Sequence, residues 1–317
     1  MKHKRTVICL TVIAFLLAGA IGALMFGEKH KNDKDYDEAK KQLIRGARYE
    51  RWCFGVPDYN KAALCYQKAA LLGSTQAQLE IGRCFFEGIG VTENDSVAFE
   101  WFLKAANGGL PKAQYYVGLC YECGTGVAVD YDSAMKWYKK ALGHKRPCVE
   151  AKTRIGVLYG EGLGVDRDYA FALDCFNEGA RFGDGAAMFC LGVAYENGYG
   201  VRSNWKSALE WYHKAAVLGH IQAMLSTAVY MYNGMGTKYE EQSYDQSFYW
   251  MSRAAKAGDP DAQCFLGEHY MHGDGCCVNY TEAVYWLRRA AAQGQEYAKQ
   301  LLHGLDFIAE GGKQGLS

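Results

Sequence analysis

The chain is built on an internal repeat of about 36 residues, and this feature constrains its fold more than any other. An alanine is followed five residues later by a small residue and, in most copies, eight residues later by an aromatic one. Because only small residues occur at the fifth position, we expect two backbones to pack closely there. The marker alanines are Ala77, Ala113, Ala151, Ala187, Ala223 and Ala262, and the small residues are Gly82, Gly118, Gly156, Gly192, Ala228 and Gly267.

The second half of each repeat follows a glycine pair such as Gly124 and Gly126, which suits a turn with positive φ. An alanine and two bulky residues come next, as in Ala134, Trp137 and Tyr138. Spacings of 4, 5 and 8 residues in the first half, and of 3, 7 and 8 in the second, place these side chains on one stripe of a helix. Each repeat is therefore predicted to be a helix–turn–helix unit.

One such helix pair cannot bury its apolar faces alone, so neighbouring pairs must stack. The sequence predicts an all-α protein, an α-solenoid that coils into a right-handed superhelix with a concave inner surface. The predicted segments are 1–27 (transmembrane anchor or signal peptide), 28–35 (linker), 36–73 (degenerate first repeat), 74–109, 110–147, 148–183, 184–219, 220–258 and 259–294 (full repeats), and 295–317 (capping helix and tail).

The turn tetrapeptides GIGV, GTGV, GLGV and GYGV recur at one position of the repeat. With these turns in register, residues 58 to 302 resemble the Sel-one-like repeat family, a relative of the tetratricopeptide repeat. The chain departs from the family pattern at Ala228, at Met231, in the extra residues 238–244 and at Cys276. The resemblance implies an adaptor that binds other proteins, with no shared catalytic residue and no cofactor, so we expect a scaffold and not an enzyme.

By analogy with tetratricopeptide repeats, the resemblance implies a peptide groove at positions two, six, nine and ten after each marker alanine. This mixture of apolar, aromatic and acidic side chains suits an extended or helical peptide with basic residues. The alternative is that the apolar members pack against the adjacent helix. The expected groove residues are Leu79, Arg83, Phe86, Glu87, Tyr115, Leu119, Glu122, Phe189, Glu196, Asn197, Tyr232 and Asn233, with Cys123, Val157, Glu161, Val193 and Leu225 at equivalent positions.

The N-terminal stretch from Thr6 to Gly27 is uncharged and follows a basic cap of Lys2, Lys4 and Arg5. As a helix it is long enough to cross a hydrocarbon core of about 30 Å, and longer than the apolar core of most cleaved signal peptides. We expect a single-pass membrane protein with its repeats outside the cytoplasm, or a secreted one if the stretch is cleaved. Equal numbers of basic and acidic residues, 35 each, argue against nucleic acid as a partner.

Three chemical alternatives remain open at this stage. Ser133 with Lys136, and Ser203 with Lys206, match the Ser-x-x-Lys pair of envelope hydrolases that react with penicillin. Cys120 and Cys123 form a C-x-x-C pair that could act in thiol redox chemistry. A third group could hold zinc: Cys264, His269, His272, Cys276 and Cys277. In an oxidising compartment, Cys276 and Cys277 are also candidates for disulfides.

Overall fold

A computed structural model describes residues 33–51, 56–236 and 242–314, and these residues form helices and turns without any strand. The helices, α1 to α15 in chain order, are Asp33–Glu50, Tyr59–Leu71, Thr75–Glu87, Asp95–Asn107, Pro111–Cys123, Tyr131–Leu142, Glu150–Glu161, Tyr169–Arg181, Gly185–Asn197, Trp205–Val217, Ile221–Asn233, Tyr244–Ala257, Pro260–His272, Tyr280–Ala291 and Glu296–Gln314. The odd-numbered helices from α3 to α13 carry the marker alanines. We call the odd-numbered helices from α1 to α13 the first helices, and the even-numbered helices from α2 to α14 the second helices.

The described residues divide into an N-terminal unit that ends at Cys175 and a C-terminal unit that begins at Phe176. In the N-terminal unit α1 packs on α2, α3 on α4 and α5 on α6, while α2 and α4 also contact the next first helix. The C-terminal unit repeats this arrangement from α9 to α15. The prediction of an all-α stack of helical hairpins is therefore confirmed within each unit.

The glycine five positions after a marker alanine makes room for a large side chain of the second helix, which is Phe102 at Gly82 and Leu287 at Gly267. A Cβ atom on Gly118 would lie 2.5 Å from the Tyr138 ring, and one on Gly192 would lie 2.5 Å from the Tyr212 ring. The expectation that two backbones meet at this position is wrong for Gly118 and Gly192, because a tyrosine ring occupies the space between the two helices there.

The close backbone approach occurs instead at the second glycine of the turn. A Cβ atom on Gly126 would lie 2.2 Å from the backbone oxygen of Asp95, at the start of the preceding second helix. Gly126 also has a φ of +70°, which L side chains rarely adopt. The second turn glycine therefore allows the turn after the first helix to lie directly against the start of the second helix in the preceding repeat.

Aspartate or asparagine side chains start most second helices. The Asn94 side chain accepts a hydrogen bond from the Val97 amide at 3.1 Å, and Asp130 accepts one from the Ser133 amide at 3.0 Å. Asn204 does the same for the Ser207 amide at 3.1 Å. These caps satisfy amides that have no partner within the helix, and each is typically worth about 1 kcal/mol.

The predicted membrane segment lies outside the described residues. Among the helices that the structure describes, none combines the length and the apolar character needed to cross a bilayer.

Candidate protein-binding surface

The first helices of neighbouring repeats lie side by side within each unit. In the N-terminal unit the Phe86 and Tyr116 rings are 6.4 Å apart, and Lys112 Nζ lies 2.7 Å from Glu150 Oε1. In the C-terminal unit the Tyr232 hydroxyl donates a hydrogen bond to Asp274 Oδ2 at 3.0 Å. The residues at positions two, six, nine and ten after each marker alanine therefore lie on helices that are neighbours within each unit. We call these residues the first-helix surface.

The predicted groove residues differ in how much of each side chain a partner could reach. Leu79 is only 3% exposed and packs with Phe102 and Val117 in a core cluster, so it belongs to the interior. Glu122 is 8% exposed. Half-buried residues are Arg83, Phe86, Tyr115, Leu119, Phe189, Glu196 and Tyr232, and exposed residues are Glu87, Asn197 and Asn233. Their role in binding stays a prediction.

Three glutamates of first helices accept a hydrogen bond from the tyrosine that follows 16 residues later on the second helix. Tyr66 donates to Glu50 Oε2 at 2.8 Å and Tyr138 donates to Glu122 Oε2 at 2.5 Å. Tyr212 donates to Glu196 Oε2. The tyrosines are 2%, 0% and 1% exposed, so each carboxyl group satisfies a hydroxyl that is buried in the core.

This pairing alternates along the sequence. In three repeats the ninth position after the marker is not glutamate and the residue 16 positions later is phenylalanine: Phe86 with Phe102, Gly160 with Phe176, and Tyr232 with Phe248. In the last repeat the two positions hold Met271 and Leu287. A phenylalanine has no hydroxyl group and needs no acceptor, so tyrosine occurs where the ninth residue is glutamate and phenylalanine occurs in those three repeats where it is not. The sequence analysis placed these tyrosines on the second helix but missed their pairing with the glutamates, although the 16-residue spacing is visible in the sequence.

Glu50, at the end of α1, lies near two carboxyl groups of α3, Glu80 and Glu87. Burial raises the pKa of Glu50 to about 7, and the nearby charge of Glu80 contributes to the rise. Arg83 is the cation of this cluster, with its guanidinium 3.1 Å from Glu80 Oε2 and 3.6 Å from Glu87 Oε1. Three carboxyl groups thus share one arginine.

Glu122 has its own cation from the next repeat. Arg154 Nε donates to Glu122 Oε2 at 3.1 Å, and Arg154 Nη2 donates to Oε1. The glutamate therefore holds a buried tyrosine on one side and a forked guanidinium on the other, the strong geometry of an arginine–carboxylate pair. Arg154 was not among the predicted site residues, because it stands three residues after Ala151 and not at a groove position.

The serine–lysine pairs have structural roles in the helices that carry them. The Ser133 hydroxyl donates to Asp130 Oδ2 at 2.6 Å, within the cap of its helix. The Ser203 hydroxyl donates to the backbone oxygen of Glu196 at 2.8 Å. In the described part of the chain, neither hydroxyl is bonded to the lysine three residues later, so nothing prepares either serine as a nucleophile.

Cys120 and Cys276 do not have the environment of reactive thiolates. Cys120 is 1% exposed, and its pKa is raised to about 12 by burial and, to a smaller extent, by Cys123 and Asp95. Burial also raises the pKa of Cys276, with a contribution from Cys277. A thiol with a raised pKa stays protonated at neutral pH and is a poor nucleophile.

The histidine and cysteine group does not converge as metal ligands. His269 is 4% exposed and its Nδ1 lies 2.8 Å from the backbone oxygen of Asp274, so it is held as a core residue. Across residues 33–51, 56–236 and 242–314, no group of three or more histidine, cysteine, aspartate or glutamate side chains is placed to hold a metal ion.

Stacked helical hairpins of this length, joined by glycine turns, define a helical repeat protein. The family described as Sel1 repeat matches residues 53–74, 75–110, 111–142, 149–184, 185–220, 221–259 and 260–295. These seven matches cover well over half of the chain, and the chain therefore belongs to the Sel1 repeat family.

Solved structures agree with this assignment. The chain is 32% identical to c5321, a protective antigen of uropathogenic Escherichia coli with an SLR fold, over 87% of this chain and 58% of that one, with a TM-score of 0.56. It is 30% identical to a Sel1 repeat protein from Oxalobacter formigenes over 78% of this chain and 96% of that one, with a TM-score of 0.58.

Yeast Tom70 shares the fold, with 13% identity over 86% of this chain and 65% of that one and a TM-score of 0.53. The chain thus spans 58% of the length of the E. coli antigen and nearly all of the O. formigenes protein. No curated protein matches the chain.

Proposed function

We propose that this chain is a membrane-anchored scaffold whose first-helix surface binds an extended or helical peptide of a partner protein, outside the cytoplasm. The Sel1 repeat fold supports the scaffold role, since stacked helix pairs present long surfaces suited to peptides. No enzymatic activity is expected.

The composition of the C-terminal unit's first-helix surface carries the proposal. At positions two, six, nine and ten, its three first helices α9, α11 and α13 have two glutamates, Glu196 and Glu268, and no lysine or arginine. Phe189, Leu225 and Val229 on the same surface are half-buried, so part of each side chain stays open to a ligand. A surface that is apolar and acidic favours a peptide with apolar anchors and basic residues.

Positive charges added to this surface test the proposal. We expect the full-length chain to select peptides rich in lysine or arginine from a display library of random sequences. The Asn197→Lys and Asn233→Lys variants should bind the selected peptides at least about tenfold more weakly, because each lysine repels the basic residues. Both asparagines are exposed, so the fold should tolerate the change. Peptide affinity is measured by fluorescence anisotropy.

The matched control is Gln246→Lys, which adds the same charge on an exposed position of the second helix α12. It should leave peptide affinity within about twofold of wild type, apart from a weak long-range effect that salt removes. Equal weakening by all three lysines would mean that net charge and not the first-helix surface governs binding, and the proposal would be wrong.

The anchoring part of the proposal has its own test. If residues 6–27 span the membrane, the mature chain should keep residues 1–27 in its intact mass and stay with the membrane fraction at alkaline pH. Deletion of residues 6–27 should release the chain. A mature mass that lacks residues 1–27 would contradict an anchor and indicate a cleaved signal peptide.

A further inference from the structure

Glu196 differs from the other two glutamates that accept a hydrogen bond from a second-helix tyrosine, because no cation lies against it. Glu122 is paired with Arg154, and the charge of Arg83 acts on Glu50. In the part of the chain that the structure describes, the Glu196 carboxylate accepts a hydrogen bond from Tyr212 and enters no ion pair. A half-buried carboxylate without a cation is a potential anchor for one.

The following repeat explains why the cation is missing. Arg154 stands three residues after its marker alanine, and the equivalent residue after Ala223 is Ser226. Arg83 stands six residues after its marker, and the equivalent residue there is Val229. Neither a serine nor a valine can neutralise Glu196.

A second buried tyrosine hydroxyl lies next to Glu196. Tyr230 is 3% exposed, its ring packs edge-on against Tyr212 with centroids 5.5 Å apart, and its hydroxyl oxygen is buried. Burial raises the pKa of Tyr230, and the Glu196 carboxylate raises it further as an acceptor and as a charge, so the hydroxyl group lies beside that carboxylate. Two buried tyrosines thus hold the Glu196 carboxylate in place, and no cation among the described residues balances its charge.

We infer that Glu196, Tyr212 and Tyr230 form a binding site for the guanidinium group of an arginine in a partner protein. A guanidinium carries five N–H donors in a planar fork, so it can donate to both oxygens of the Glu196 carboxylate, to which Tyr212 already donates. A lysine ammonium is a compact charge without this fork and fits the two carboxylate oxygens less well.

The chain already contains an occupied version of this site. Arg154 donates two hydrogen bonds to Glu122 while Tyr138 donates a third to the same carboxyl group. Glu196 and Tyr212 reproduce that arrangement without the arginine. The inference rests on the proposed function, because the bound arginine would be one of the basic residues of the peptide that the first-helix surface binds.

Two matched probes test the site on the full-length chain: glycyl-arginyl-glycine with both ends blocked, and the same tripeptide with citrulline in place of arginine. Citrulline keeps the shape of the side chain but carries no charge. We expect the arginine probe to shift the ¹³C ring resonances of Tyr212 and Tyr230 in the NMR spectrum, and to bind at least about tenfold more tightly than the citrulline probe.

Two variants should abolish this binding for different reasons. Glu196→Gln removes the charge, and Ser226→Arg supplies a guanidinium from within the chain, as Arg154 does for Glu122. Ser226→Arg should also raise the melting temperature, because it fills the site, whereas a variant that merely misfolds would lower it. Glu210→Gln, at an exposed position of the second helix α10, removes one carboxyl group elsewhere and should leave probe affinity unchanged.

Equal affinity for the arginine and citrulline probes, or arginine binding that survives both Glu196→Gln and Ser226→Arg, would overturn the site. The tripeptide is too short to cover several repeats, so its failure to bind speaks only to this site. Failure of the proposed function would look different: the arginine probe would bind, while Asn197→Lys and Asn233→Lys would leave the affinity of the selected longer peptides unchanged.

Discussion

Between about pH 5 and pH 8, the Glu50→Gln variant is expected to gain stability relative to the wild-type chain. The pKa of Glu50 is about 7 in the folded chain, because the carboxyl group is buried and lies near the charge of Glu80. In the unfolded chain it returns to its ordinary value near 4.5. The folded state therefore binds more protons across this interval, and stability falls as the pH rises from 4.5 to 7.

The expected size of the effect follows from the shift in pKa. A change of one pKa unit corresponds to about 1.4 kcal/mol. The difference in free energy of unfolding between Glu50→Gln and the wild type should therefore be larger at pH 8 than at pH 5 by roughly 2 kcal/mol. A glutamine stays neutral, so it avoids the cost of charging a buried group beside other carboxylates. Urea denaturation of both chains at the two pH values measures the difference.

Glu100→Gln is the matched control, because Glu100 is exposed on α4 in the same unit. Its stability difference from the wild type should not change with pH by more than a few tenths of a kcal/mol. The groups that face Glu50 are Glu80, Glu87, Arg83 and Tyr66. If the difference between Glu50→Gln and wild type were constant from pH 5 to pH 8, Glu50 would not be the group whose ionisation opposes folding.

The helical hairpins were predictable because their signals are local. The marker alanine, the turn glycines and the bulky pair each recur within one helix or one turn, where a spacing of 3 to 8 residues reports directly on one face. The family resemblance drawn from these signals is confirmed, since the Sel1 repeat matches run from residue 53 to residue 295.

The carboxyl–tyrosine pairs were not predicted, because they depend on how two helices cross. Glu122 and Tyr138 are 16 residues apart on different helices, and alternate repeats replace the glutamate with Phe86, Gly160 or Tyr232. A search for one conserved residue type per position therefore misses them. The correlation between the ninth position and the ring 16 residues later would have revealed the pairs.

The role of the small residue was misassigned for a related reason. Sequence spacing shows that only a small side chain fits near Gly118, but it does not show whether a backbone or a side chain fills the space. The answer requires the position of Tyr138, which lies 20 residues further along the chain and crosses over the glycine. Packing between helices, and not backbone conformation, selects glycine at this position.

Gly118→Ala is expected to destabilise the chain, although the same change usually stabilises a helix. In an open helix, alanine is favoured over glycine by about 0.5–1 kcal/mol. At Gly118 the new methyl group would lie 2.5 Å from Tyr138 Cε1, a distance that real contacts do not reach. The buried ring would have to move away from its hydrogen bond with Glu122, so we expect a net loss of roughly 2 kcal/mol in the free energy of unfolding.

Gly304→Ala is the control, because Gly304 lies on the exposed side of α15 and a Cβ atom there would meet nothing within 4 Å. Urea denaturation should show this variant as equal to or slightly more stable than the wild type. In a Tyr138→Ala background the space beside Gly118 is open, so Gly118→Ala should lose its cost there, and the two changes should couple strongly in a double-mutant cycle. If Gly118→Ala cost the same in both backgrounds, the Tyr138 ring would not be the reason for glycine at this position, and the small residue of every repeat would need another explanation.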